Sequence, residues 1–264
     1  MRRSLAFAVL CLLPSAILAQ QPPKSQVTPA RDSQAVAVLN QALTAMGGQS
    51  VPTIQDTVVQ ATLTPPPSRA GTPGPVTITT KGPNKMRIDG SGGGKTSVVI
   101  FNSGTELRSK GSGWQPVPSA NSDHQRIEHL PALMLAYELN RPDVSAGYVG
   151  VEMVEGRSAH HVLLARVSKL ANGLDEISTK NSQIDVWLDA KTMLVSKISF
   201  LYLSETDWRV GLPMEIFYYN YQSINGLLVP FHQKCLFDGQ PLDDMQITSF
   251  AVNQAPSDLR FEGR

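Results

Sequence analysis

Residues 213–237, PMEIFYYNYQSINGLLVPFHQKCLF, decide the architecture. Asn225–Gly226 separates two β-branched and aromatic runs, and that dipeptide accepts φ > 0 at both positions, giving a two-residue turn whose twist matches paired strands. The spacing predicts a hairpin of 213–222 against 228–237. A two-residue turn fixes the register: Ile216 opposite Cys235, Met214 opposite Phe237, Tyr218 opposite Gln233, Asn220 opposite Phe231 and Gln222 opposite Val229. One face then carries Met214, Ile216, Tyr218, Val229, Phe231, Cys235 and Phe237. The other mixes Phe217, Tyr219, Tyr221 and Leu236 with Glu215, His232 and Lys234, so it is amphipathic rather than fully wet. An extra bulge residue would swap the faces beyond it.

The same alternation runs outward from this hairpin. Strands are expected at 148–155, 159–167, 183–189, 193–203 and 245–253, and in the earlier half at 56–63, 76–80, 85–89, 96–101 and 105–109, separated by Gly/Pro/Asn clusters. The donor-poor stretch 65–75 reads as a long exposed loop. Two helical patterns interrupt the strands. One spans 33–46, with Asp32 or Ser33 as cap, Val36, Leu39, Leu43 and Met46 as apolar stripe, and Gly47–Gly48 as stop. The other spans 123–139, where Pro131 kinks or restarts the helix. Strands and helices do not alternate, so a parallel doubly wound sheet is disfavoured and an α+β antiparallel sheet is expected. Strand 193–203 is apolar on both faces, with Phe200 and Tyr202 on one and Met193 and Leu203 on the other. Such a sheet either packs helices on one side or leaves a hollow for an apolar guest.

The N-terminus has the layout of an export signal: Arg2–Arg3, an apolar run from Leu5 to Leu13, then small residues up to Ala19. The apolar run is too short to span a bilayer. Residues 1–19 are therefore read as a signal for export to the periplasm, 20–31 as a flexible leader, and 32–264 as one domain. With Lys+Arg 23 against Asp+Glu 22, no broad basic surface is available for nucleic acid. Cys235 is the sole cysteine after the signal, so no intramolecular disulfide is expected; it is read as a buried small hydrophobe.

Chemistry-bearing motifs are sparse. DGSGGGKTS (89–97) ends like a phosphate-binding loop, but Asp89 stands where the pattern needs glycine, and a β-branched run follows instead of a helix. It reads as a hairpin turn, with no nucleotide. His160 and His161 are adjacent in a strand and point to opposite faces, and His124 and His129 lack the spacing of a helical metal pair. Asp185 and Asp189 share a face, read as a solvated sheet face rather than an acid–base pair. No catalytic residue, metal site or cofactor is assigned, and the chain is read as a non-enzyme.

Four stretches together resemble a known family: YVGVEMVEGRSAHHVLL (148–164), IDVWLDAKTMLVSKISF (184–200), YNYQSINGLLVPF (219–231) and ITSFAVNQAPSDLRFEG (247–263). In order and spacing they are similar to the outer-membrane lipoprotein-sorting, LolA/LolB-like superfamily, as is the helix ending in AMGG (45–48). The resemblance implies a strongly curved antiparallel sheet, an unclosed half-barrel, with helices covering the concave face and a final strand running into the 247–263 stretch. It also implies a cavity for a hydrophobic ligand, a lipid or a lipoprotein acyl chain, and partners among lipoproteins or an outer-membrane acceptor. On the cavity wall it places Met193, Phe200, Tyr202, Met214, Ile216, Tyr218, Phe231 and Phe237, with Arg87, Arg157 or Arg166 as candidates for the family's cavity arginine. The alternatives are an envelope scaffold with a filled core and a secreted hydrolase.

Overall fold

The computed structural model describes residues 29–68, 71–92, 94–110, 113–117, 128–167, 175–204, 207 and 209–263. The export signal and residues 20–28 of the leader lie outside the described residues, as do the expected helical residues 123–127.

Thirteen strands among the described residues form one antiparallel sheet. The first wing holds β1 (Asp56–Thr64), β2 (Gly74–Lys81), β3 (Lys85–Gly92), β4 (Lys95–Asn102), β5 (Thr105–Lys110) and β6 (Gly113–Val117). The second holds β7 (Val144–Val154), β8 (Arg157–Arg166), β9 (Ile184–Asp189), β10 (Val195–Leu203), β11 (Gly211–Ile224), β12 (Leu227–Phe237) and β13 (Gln240–Val252). Each wing is a meander, and the order β6-β5-β4-β3-β2-β1-β13-β12-β11-β10-β9-β8-β7 shows them sewn together where β13 returns beside β1. β6 and β7 are the two edges and do not pair, so the half-barrel stays open.

The deciding hairpin has the expected register, with Met214, Ile216, Tyr218 and Gln222 opposite Phe237, Cys235, Gln233 and Val229. Its turn has Asn225 at φ 52° and Gly226 at φ 82°, the left-handed pair that the dipeptide suggested. One face assignment needs correction. Asn220 also turns left-handed, at φ 52°, which breaks the alternation and swings Tyr221 into the core, where its hydroxyl donates to the Val195 carbonyl at 2.7 Å. The glycine-rich stretch is the turn between β3 and β4, with Gly92 opposite Lys95.

α1 (Ser33–Met46) is capped by Asp32, whose carboxylate accepts from the Ala35 N–H at 2.9 Å, and it ends at Gly47 with φ 149°. Its buried stripe is Ala35, Val38, Leu39, Ala42 and Met46. Arg31, at the end of the expected leader, is held rather than loose: it bridges Ala146 on β7, and its guanidinium donates to the Val144 and Leu139 carbonyls at 3.1 and 3.0 Å. α2 (Pro131–Asn140) starts at its proline, as a helix tolerates in its first turn, and buries Ala132, Leu133, Met134 and Leu135. A short α3 (Asp175–Asn181) and the edge strand β6 were not expected from the sequence. α1 and α2 pack on each other and into the concave face over β7, β8 and β12, where Val162, Leu164, Val186, Ile198, Leu227 and Val229 meet them.

The last segment departs from the expected closing strand. β13 stops at Val252, because Asn253 adopts φ 55° and its side chain bridges Gln55 N–H and Thr53 O at 2.8 and 3.1 Å. Beyond it the chain crosses the first wing on the face opposite the helices. Asp56 accepts from the N–H groups of Gln254 and Ala255, Lys81 donates to Pro256 O, and Lys85 pairs with Asp258 at 2.6 Å. Arg87 donates to Arg260 O, and Phe261 is fully buried at the end of the crossing.

Candidate functional site

The helices fill only part of the hollow. Along β10, Val195 and Ile198 lie within the core and away from the hollow, whereas Phe200, itself buried in that core, and Tyr202 line it; along β12, Leu227 and Val229 lie within the core, and the half-buried Cys235 lines the hollow. The boundary is the segment Glu128–Leu130 ahead of α2, clipped to the sheet at several points. Tyr218 donates its hydroxyl to Glu128 O at 2.8 Å, and Gln233 Nε2 donates to His129 O at 3.0 Å. From the first wing, Thr57 Oγ1 stands 3.2 Å from His129 Nε2 and 2.6 Å from Thr80 Oγ1. A short segment between two wings is thereby tied to both.

On the far side of this segment lies a cavity of about 310 Å³. Its first-wing wall is Leu63, Val76, Ile78, Met86 and Ile88, all from the inner parity of β1–β3. Its second-wing wall is Phe200, Tyr202, Met214, Ile216, Cys235 and Met245, while Glu128, His129, Gln233 and Asp243 make the polar end. The hollow is mainly apolar and spans the seam where β1 meets β13.

The electrostatics of the polar end follow from burial. Glu128 Oε1 is shut off from solvent and has no hydrogen-bond partner, and desolvation raises its carboxyl well above the usual range. Burial also lowers His129 to about 4, so its ring is neutral near pH 7. Desolvation raises the Cys235 thiol, with Asp243 adding to the effect. A thiol held protonated is a poor nucleophile.

Of the residues that the sequence placed on the wall, Phe200, Tyr202, Met214 and Ile216 line the cavity together. Phe237 stands one layer back, opposite Met214 in the ladder and edge-on to Tyr202 at 5.9 Å. Tyr218 is buried beneath the Glu128 segment, and Phe231 packs into the helix-covered core. Met193 is elsewhere, in the β9–β10 turn at φ 59°. There Asp189 accepts from Lys191 and Thr192 N–H and closes a tight loop, so the strand starts at Val195. Arg87, Arg157 and Arg166 pair with Asp89, Asp189 and Glu138, and none lines the cavity.

The first-wing wall and the Glu128–His129 pair were missed. Alternation in β2 and β3 (Val76, Ile78; Met86, Ile88) was readable, but only the β1–β13 seam brings those strands to the same hollow. Buried Glu and His have the same letters as solvated ones.

The face opposite the cavity carries a second polar group, fully partnered. His161 stacks on Trp187 at 4.3 Å, with its ring nitrogens 2.9 and 2.7 Å from Glu152 and Asp185. Trp187 Nε1 donates to Glu152 at 2.8 Å, and Lys197 lies over the indole while pairing with Glu215. Asp185 is thus part of a hydrogen-bonded outer network, and Asp189 is buried as the acceptor of a turn. No three His, Cys, Asp or Glu side chains gather as a metal set among the described residues, and no described helix is long and apolar enough to cross a membrane.

No family model and no curated protein sequence matches the chain. Solved structures do match its shape. A protein described as an outer membrane lipoprotein-sorting domain, from Vibrio parahaemolyticus, superposes with a TM-score of 0.55 at 6% identity, covering 86% of this chain and 96% of that one. A LolA superfamily protein from Nitrosomonas europaea gives 0.54 at 14% identity over 86% and 97% of the two chains. A DUF1329 family protein from Desulfovibrio piger gives 0.52 at 13% over 86% and 97%. At these identities the likeness is one of architecture: an open antiparallel sheet with helices in its hollow, which is the LolA-like fold that the closing stretches of this sequence resembled.

Proposed function

We propose that the protein is a non-catalytic carrier that holds one elongated apolar guest, a lipid or a lipoprotein acyl chain, in the cavity across the seam. The observation behind this reading is the hollow itself: about 310 Å³ walled by Leu63, Ile78, Met86, Ile88, Phe200 and Met214 and left unfilled by α1 and α2. That volume is in the range of small-ligand pockets. Burying aliphatic chain contributes about 0.8 kcal/mol per methylene, so roughly ten methylenes supply about 8 kcal/mol before ordering costs. Thioethers at Met86, Met214 and Met245 suit a guest of uneven outline, because methionine repacks at small cost. A scaffold with a filled interior would have no such space, and a half-buried Cys235 whose thiol desolvation holds protonated does not favour a hydrolase. The signal-like residues 1–19 support the periplasm as the compartment of this carriage, with lipoproteins or an outer-membrane acceptor as the partners to test.

The test uses N-phenyl-1-naphthylamine, an uncharged dye that brightens in apolar surroundings. The delipidated protein should bind it, and Met214→Trp, which fills the hollow with an indole, should weaken binding by about ten-fold or more while leaving the thermal unfolding midpoint near that of the parent. Equal binding by both proteins would remove the cavity from consideration as the guest's seat.

A further inference from the structure

The polar end of the cavity has one feature that the packing does not use. Glu128 lines the hollow, and its Oε1 is buried without a hydrogen-bond partner, although buried polar atoms in folded proteins are nearly always paired. The other polar groups at that end are engaged: His129 with Thr57, Gln233 with the His129 carbonyl, and Cys235 with Asp243. We infer that Glu128 is the acceptor for a guest's head, and that the cavity selects amphiphiles whose head donates hydrogen bonds and carries no negative charge, such as a long-chain amine or alcohol.

The charge inventory gives the sign of the selection. Among the described residues, Glu128 and Asp243 are the carboxyl groups on the lining, and no lysine or arginine lines it. His129, a basic side chain on that lining, is kept neutral by burial. A carboxylate or phosphate head would leave water for a lining with Asp243 on it and no lysine or arginine among the described residues, which costs far more than burying a paired charge. An ammonium head gains an ion pair with Glu128, because a cation at that distance favours the ionised carboxyl. A hydroxyl head gains a hydrogen bond to an oxygen that otherwise has none. The apolar chain then lies along Ile78, Met86, Phe200 and Met214.

This inference rests on the hydrophobic-guest reading, and the experiment separates the two. Bound N-phenyl-1-naphthylamine is displaced near pH 7 by dodecylamine, dodecan-1-ol and dodecyl phosphate, three probes of one chain length. The amine and the alcohol should displace the dye at concentrations about ten-fold or more below the phosphate. Glu128→Leu should bring all three within about two-fold of each other. Glu128→Gln, which keeps a carbonyl acceptor and the size of the side chain, should hold the alcohol near its parental value and weaken the amine by about ten-fold. Equal displacement by all three on the parent protein, or a preference that survives both substitutions, overturns the role of Glu128 and leaves the apolar cavity standing. Failure of the dye to bind the parent at all overturns both.

Discussion

At the residue scale, the informative positions are those whose chemistry is paid for by burial. His129 sits against Thr57, itself bonded to Thr80, with its ring nearly free of water, and its value of about 4 lies below the 6.5 of an exposed imidazole. A base whose folded value is depressed contributes stability that is complete above the unfolded value and lost as pH falls toward the folded one. Between pH 6.5 and 4 this imidazole should therefore remove roughly 3 kcal/mol from the fold. Urea unfolding of the parent and of His129→Gln at both ends of that window measures it: the variant should lose about 3 kcal/mol less, and equal losses would assign the acid sensitivity to other groups. Glu128 has the opposite sign. Its carboxyl is raised, so its contribution is present below the ordinary carboxylate range and lost as pH rises. Neither behaviour was legible in the sequence, since a Glu–His pair ahead of a helix looks the same whether it is solvated or buried. Aliphatic and aromatic positions were easier to read: alternation put Phe200 with Tyr202, and Met214 with Ile216, on one face of their strands, and the family resemblance put the four on one wall.

At the element scale, local chemistry carried most of the information. Asn225–Gly226 set a hairpin register that the ladder reproduces except at Asn220 and Phe231, which do not pair, and Asp32 with Gly47 bounded α1. Gly226 at φ 82° is a position where a Cβ meets no obstacle nearer than Ser50 Oγ at 3.9 Å, so the cost of Gly226→Ala is conformational. It should destabilise by about 1–2 kcal/mol, read as a shift in the chemical-denaturation midpoint with unchanged slope. A change in slope would instead indicate a rearranged hairpin. The misreadings at this scale share one cause, single residues that leave the extended region. Asn220 turned Tyr221 inward, Met193 closed a loop where a strand was expected, and Asn253 ended β13. Asparagine tolerates φ > 0 locally, and whether it uses that freedom depends on partners far away in sequence, such as Gln55 and Thr53 for Asn253.

At the scale of the whole molecule, the C-terminal segment ties the first wing together from outside. It touches Asp56 on β1, Lys81 on β2, Lys85 and Arg87 on β3, and Asn102 on β4, and ends in the fully buried Phe261. Phe261→Ala should cost about 3–5 kcal/mol, as expected for emptying a large buried aromatic site. Hydrogen exchange should show the loss of protection concentrated in β2–β5 rather than spread evenly, and an even loss would show that the segment braces the whole sheet. The order in which the strands assemble was only half visible in the sequence. Neighbouring hairpins follow from turn signals, whereas the pairing of β1 with β13, close to two hundred positions apart, depends on two meanders finding one another.

The absence of pairing between β6 and β7 bears on how a guest could come and go. A closed ring of strands has a girth fixed by strand number and stagger. An arc with free ends has no such constraint, and a small increment of twist at each ladder adds up to a wide change at its mouth without any ladder bond breaking. Under the carrier reading, thick and thin guests would then be met by flexing, in the manner of a spring clip, and departure would be a matter of degree instead of a latch being thrown.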